Sequence, residues 1–221
     1  MKALKVALLI IFVVMSVFRA YADSNEGVAS GPKAEREDPG TSIKTFSLST
    51  IGVSEWNTEE LAFALNDRGI AYRLKGLYDL AIADYTQAIK LKPDFAIAYS
   101  NRGLAYAKSE RYDQAILDFT RSIQLDPNNG NTYLKRGNAY FDKGLYDCAI
   151  LDYSQAISLK PDLMWAYYNR CDAYDRKGLK DLAREDCEKV LLLDPNFGPA
   201  RRVLQWLNGD QGGKRPCFFN D

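Results

Sequence analysis

The chain has 221 residues, 47% of them apolar, with 29 basic and 29 acidic side chains and no histidine. That length accommodates one or two domains with a real core. A zero formal charge excludes the cationic surplus that nucleic-acid phosphates require. The lack of histidine removes the commonest general base and the commonest metal ligand together.

Residues 1–22 read as a secretory signal peptide. Lys2 and Lys5 give a positive start, Val6 to Phe18 is apolar apart from Ser16, and Ala20-Tyr21-Ala22 is a small-x-small cleavage site. An apolar run of this length spans only about 20 Å as a helix, short of a hydrocarbon core of about 30 Å. Cleavage after Ala22 is therefore expected in preference to membrane anchoring, and no cysteine follows to carry a lipid. The leader resembles bacterial export signals, which implies a periplasmic or secreted protein. It contains Lys2, Lys5 and Arg19 but no acidic residue, so the remainder carries a small negative charge.

Residues 23–56 are rich in Ser, Gly, Glu, Lys and Pro, without sustained apolar periodicity, and read as a flexible linker. Asn57 with Glu60 forms a capping-box pattern, and apolar periodicity starts at Leu61. From there one pattern recurs every 34 residues: Gly69, Gly103, Gly137 and then Cys171; Tyr72, Tyr106, Tyr140 and Tyr174; Ala81, Ala115, Ala149 and Ala183; Pro93, Pro127, Pro161 and Pro195. The units are 62–95, 96–129, 130–163 and 164–197. Each holds two helical patterns, in the second unit about Ala96 to Ser109 and Tyr112 to Leu125. The closing proline suits the first turn of a following helix, and the Asp or Asn beside it suits a turn or cap. Residues 198–208 form one more amphipathic pattern before Gly209, expected to cap the open end of the array. Residues 209–221 read as a mobile tail whose apolar anchors are Phe218 and Phe219. Self-similarity at this period marks a stacked array that presents a surface.

In the second unit Tyr99, Gly103, Tyr106, Ala115, Phe119 and Pro127 occupy the bulky, small, aromatic, small, aromatic and proline places of a known motif. The unit resembles the tetratricopeptide repeat, and four copies stand in phase. The resemblance implies an all-α, right-handed superhelical solenoid of helix-turn-helix repeats over 57–208, with the capping helix at its end. Small residues at Gly103 and Ala115 let two helices approach, and the aromatics fill the layer between hairpins. Two further series, Arg68, Arg102, Arg136, Arg170 and Asp84, Asp118, Asp152, Asp186, lie at matching heights and are expected to pair within hairpins.

In that family the first helix of each hairpin lines a concave groove that binds peptides. Carried onto this sequence, the early units contribute Phe63, Asn66, Ile70, Ile97, Asn101, Leu104 and Lys108. The later units contribute Asn131, Lys135, Asn138, Phe141, Trp165, Tyr168, Asn169 and Asp172, with Asp142, Asp175 and Arg176 beside them. Asn101 and Asn169 suit a peptide backbone, because an amide both donates and accepts. Trp165, Tyr168 and Phe141 suit an apolar anchor of the partner. Solvation of a helix face accounts equally for the asparagines, and packing is the alternative for Trp165. A family variant grips C-terminal carboxylates with five set residues. Of its places only Asn101 and Lys135 match here, so that function is not supported.

The reading favoured is an exported protein–protein interaction module, a scaffold or adaptor holding a peptide or helix of a partner chain, with no cofactor and no metal. The alternative is a structural subunit of an envelope complex. An enzyme using Asp142, Asp172 and Asp175 is disfavoured, since no nucleophile stands beside an evident base and no Gly-rich phosphate loop occurs. The fourth unit departs from the family pattern at Cys171 and Cys187. Both changes fall in one hairpin, on helices that must touch, in a chain read as exported, so a Cys171–Cys187 disulfide is expected. Cys148 and Cys217 have no periodicity to pair them.

Overall fold

The computed structural model describes residues 57–209. The leader, the linker, the tail and Cys217 lie outside the described residues. All regular structure among those residues is helical: α1 (Thr58–Leu74), α2 (Tyr78–Leu91), α3 (Ala96–Lys108), α4 (Tyr112–Leu125), α5 (Gly130–Asp142), α6 (Tyr146–Leu159), α7 (Met164–Arg176), α8 (Lys180–Leu193) and α9 (Gly198–Leu207). Two compact units divide the chain between Pro93 and Asp94. The first contains the α1–α2 hairpin. The second stacks the α3–α4, α5–α6 and α7–α8 hairpins and ends on α9.

Each hairpin closes because one helix has no side chain where the other has a ring. A Cβ on Gly69 would lie 2.7 Å from the Tyr85 ring, and in the second unit a Cβ on Gly103 or Gly137 would lie 2.8 Å from Phe119 or 2.6 Å from Tyr153. Tyr85, Phe119 and Tyr153 are buried completely. These rings supply much of the apolar burial that holds each hairpin. The Arg–Asp pairs close the same hairpins. Arg68 binds both oxygens of Asp84 at 2.6 and 2.7 Å. Arg102–Asp118, Arg136–Asp152 and Arg170–Asp186 repeat the fork at 2.7 and 2.8 Å. In the second unit each guanidinium also lies 5.6–6.0 Å from two tyrosine rings, such as Tyr133 and Tyr140 for Arg136. The hydrogen bonds from Arg136 to Asp152 hold that guanidinium above its usual range, against burial. The planar fork and two stacked faces explain why the series is Arg and not Lys.

The turn within each hairpin is a Schellman motif. Leu77 donates to the Tyr72 carbonyl at 3.0 Å and Gly76 to that of Arg73 at 3.0 Å; the same pair of bonds recurs at Arg111 and Glu110, Leu145 and Gly144, and Leu179 and Gly178. The pivot must be left-handed, and three of the four are glycines with φ of 75–76°. Glu110 takes the fourth place at φ 61°.

The turns between hairpins meet the expectation in part: Asp94, Asn128 and Asp162 stand in turns beside their prolines, but not as caps. Pro93, Pro127 and Pro161 do not enter the next helix, and the Asp or Asn after each is not its cap. The N-cap positions are Phe95, Asn129 and Leu163, none with a side-chain capping bond. At Phe95 a buried ring fixes the entry in place of a polar cap. The capping box at Asn57 is realised: its side chain accepts from Glu60 at 2.8 Å, and Glu60 accepts from the Asn57 amide at 3.2 Å. Pro199 stands in the first turn of α9.

In the last hairpin Cys171 and Cys187 replace the glycine and the ring. Both are fully buried, and their Cα atoms are 5.9 Å apart and bridged through the two sulfurs. Ala200, Val203 and Leu207 of α9 pack on this core with Tyr167 and Val190. Lys180 lies 5.6 Å over the Trp206 ring, and Arg184 donates to the Asn208 side chain at 2.9 Å, which fixes α9 on α8.

Candidate interaction face

The first helix of each hairpin carries the expected contact residues, and the structure sorts them by access. In the first unit Phe63 is exposed and Ile70 partly buried, while Asn66 is buried and donates to Asp67 at 3.2 Å. In the second unit α3, α5 and α7 contribute equivalent positions. Ile97, Asn131 and Trp165 start this face and are exposed, Ile97 by 57% and Trp165 by 50%. Asn101, Leu104, Lys135 and Asn138 form a half-buried second row.

Polar bonds lock that second row across the repeats. Lys135 of α5 donates to Ser100 of α3 at 3.0 Å. Asn138 of α5 accepts from Asn169 of α7 at 2.8 Å and from the Tyr153 hydroxyl at 2.9 Å. Burial, with the Asp142, Asp172 and Asp152 carboxylates nearby, pushes the Tyr153 phenol far above its usual range, so it stays a proton donor. Asn138 therefore spends its oxygen inside the protein.

Four expected contact residues of the second unit are buried. Phe141 is 8% exposed, Tyr168 1%, Asn169 4% and Asp172 0%. Phe141 meets Tyr146 edge to face, with centroids 5.2 Å apart, and lies 5.8 Å beneath the Arg176 guanidinium. Asp172 is held by Arg176 at 3.3 Å. Tyr168 packs between Trp165 and Phe197, at 6.0 and 5.1 Å. These four lie beneath the face, and Trp165 stands above them half exposed. Among the described residues no group of three or more His, Cys, Asp or Glu is placed to hold a metal ion. Asp142 is exposed while Asp172 and Asp175 are buried, so the three do not present one carboxylate surface. Desolvation raises the Asp142 carboxyl above its usual range, against the pull of Lys108.

Phe197 is the residue that sequence reasoning missed. Its ring lies 5.5 Å from Trp165 at an interplanar angle of 88°, and it makes a three-ring cluster with Tyr168. The available signal was its register, since Phe95 occupies the equivalent place three repeats earlier. The cluster fixes the Trp165 ring while leaving half of it accessible. A large aromatic held that way loses little rotamer freedom on meeting a partner.

Among the described residues no helix is long and apolar enough to cross a membrane. Family models for the TPR repeat match residues 69–110 and 137–178, and models for the tetratricopeptide repeat match 96–129 and 166–197. No curated protein matches the chain. Among solved structures, MamA is 30% identical with a TM-score of 0.61, over 66% of this chain and 84% of that one. The first TPR domain of Spaghetti (RPAP3), solved with the HSP90 peptide SRMEEVD, is 29% identical with a TM-score of 0.51, over 53% of this chain and 94% of that one. YrrB, described as a TPR protein with an unusual peptide-binding site, is 19% identical with a TM-score of 0.60 over 74% of this chain and 84% of that one, and shares the fold. The fold is that of a protein–protein interaction module, and the chain belongs to the tetratricopeptide-repeat family.

Proposed function

We propose that this protein is an exported, non-enzymatic adaptor that takes an extended or helical segment of a partner chain on the face made by α3, α5 and α7, with Trp165 as the main apolar anchor. The observation that carries the reading is Trp165 itself: half exposed, held edge to face by Phe197 and Tyr168, and equivalent in register to exposed Ile97 and Asn131. The Spaghetti domain, whose structure contains a bound peptide, supports the same class of ligand here. Selection from a displayed random peptide library with residues 23–221 tests the reading. Enriched peptides should carry an apolar residue and should quench Trp165 fluorescence. Failure to enrich any peptide, with the protein folded, counts against it.

Export is supported by the leader and by the Cys171–Cys187 bridge, which persists in an oxidising compartment. N-terminal sequencing of the protein made in a bacterial host should find Asp23 first. An intact Met1 in an envelope fraction counts for an anchor.

A second reading, a subunit docked in a larger complex, rests on Leu117 and Leu151. These equivalent residues of α4 and α6 are 69% and 70% exposed. Burying both would favour association through the second helices of the hairpins.

A further inference from the structure

Trp165 and Tyr168 belong to α7, but the ring that fixes them comes from the far end of α8. Phe197 sits in the turn that leaves α8: its amide donates to the Asp194 carbonyl at 3.1 Å, and the Asp194 amide donates to that of Val190 at 2.8 Å. Its ring centroid lies 5.5 Å from Trp165 and 5.1 Å from Tyr168, nearly perpendicular to both. The cage around the exposed anchor therefore closes only while α7 and α8 keep their relative position.

The Cys171–Cys187 bond ties those two helices together within the same interior. Cys171 stands one turn after Tyr168 on α7, and Cys187 one turn before Val190 on α8. Both are fully buried, as are Ala183, Val190, Ala200 and Val203 around them. Two unbonded sulfurs stand at least about 1.5 Å further apart than bonded ones. A close-packed interior has no spare room of that size. This hairpin also lacks the glycine and ring that set the helix spacing at Gly103 and Phe119.

We propose that this bond is a redox switch on the Trp165 face. Oxidised, it holds Trp165 in its cage; reduced, it lets α7 and α8 shift and frees the ring. The effect on a partner rests on the face proposed above, whereas the release of Trp165 does not. The co-reactant is a dithiol, small or protein-borne. One of its thiolates attacks a cysteine sulfur, forms a mixed disulfide and releases the other cysteine as a thiol. Its second thiolate attacks the mixed disulfide, closes the dithiol into its own disulfide and releases the second cysteine. Two electrons and two protons pass to the protein. Because both sulfurs are buried, the exchange waits on local opening of α9 from α8. A freed Trp165 loses more rotamer freedom on meeting a partner, so the reduced protein binds more weakly.

The test uses residues 23–221 with Trp56→Phe and Trp206→Phe, which leave Trp165 as the sole tryptophan, and Cys148→Ser and Cys217→Ser, which leave one cysteine pair. Collisional quenching of Trp165 by acrylamide is measured before and after dithiothreitol, with alkylation and mass spectrometry to confirm the state of both thiols. Reduction should raise the quenching constant several-fold while the circular-dichroism helix signal holds, and reoxidation should restore it. Cys171→Gly/Cys187→Phe rebuilds the glycine-and-ring interior of the second repeat, and its quenching should be low and indifferent to dithiothreitol. Should that variant fail to fold, the oxidised and reduced forms of the parent decide alone. Equal quenching in those two forms, or a rise matched by loss of helix signal, would overturn the proposal. So would an equal rise in the folded Gly/Phe variant. Quenching needs no peptide, so failure to select one counts against the proposed face and leaves this result standing.

Discussion

The second and fourth repeats have the same backbone plan and different interiors. In the second, bare Gly103 accepts the face of Phe119, and a buried ring fills the hairpin. In the fourth, Cys171 brings a Cβ and a sulfur from one helix, and Cys187 meets it from the other. Two half-length side chains joined by a bond do the space-filling that one ring does elsewhere. The two substitutions belong together: a ring at 187 would collide with any side chain at 171, and a glycine at 171 would leave a void beside a cysteine at 187. The second helix of the second repeat, α4, packs against α5 of the following hairpin. The fourth is followed by a single helix, α9, and there a covalent link is worth most.

This contrast predicts a ranked set of effects. Phe119→Ala should cost the most, about 3–5 kcal/mol by urea unfolding, because it empties a fully buried site. Cys187→Ala, measured under reducing conditions, should cost clearly less, and equal losses would break the comparison. Next, a reducing agent should destabilise the wild-type fourth repeat by roughly 3 kcal/mol, the value expected for a loop of this length. The same reagent should leave Cys171→Ser/Cys187→Ser unchanged; equal midpoints for wild type with and without reductant would show that the bond carries no load. Gly103→Ala should cost about 1–3 kcal/mol, since its Cβ would sit 2.8 Å from the Phe119 ring. Cys171→Ala in the reduced protein should be milder, because that position already has a Cβ. The smallest effect should be a gain. Glu110→Gly relieves a left-handed residue where the other hairpin turns have glycine, and should stabilise by about 1 kcal/mol in thermal melts.

The array, the helix order and the Arg–Asp forks were legible because each is set by residues that recur at one spacing. The Gly–ring contact that closes a hairpin recurs in the first three repeats, so the pattern reports that packing directly. The hairpin-turn glycines at 76, 144 and 178 follow the same spacing and were legible too, though Glu110 hides the series. The face was only partly legible. Register places Tyr168 and Asp172 on the same side of α7 as Trp165, but it does not tell which of them neighbouring side chains cover. Phe197, from the loop before α9, closes over Tyr168 and leaves Trp165 half open, and such a contact between elements has no local sequence signature. The proline segments were legible as turns but not as caps, for a related reason. A buried ring at Phe95 sets the start of α3, so the polar residue before it is not needed as a cap.

The most direct test of partner binding on the α3–α5–α7 face is a titration by fluorescence anisotropy of a selected, labelled peptide against three proteins. These are the wild type, Trp165→Ala and the double variant Leu117→Asp/Leu151→Asp, each first shown to be folded by circular dichroism. The face described here predicts affinity at least about tenfold weaker for Trp165→Ala, a loss of about 1.4 kcal/mol or more, and wild-type affinity for the double variant. Unchanged binding by Trp165→Ala together with loss in the double variant would contradict it and place the interaction on the second helices.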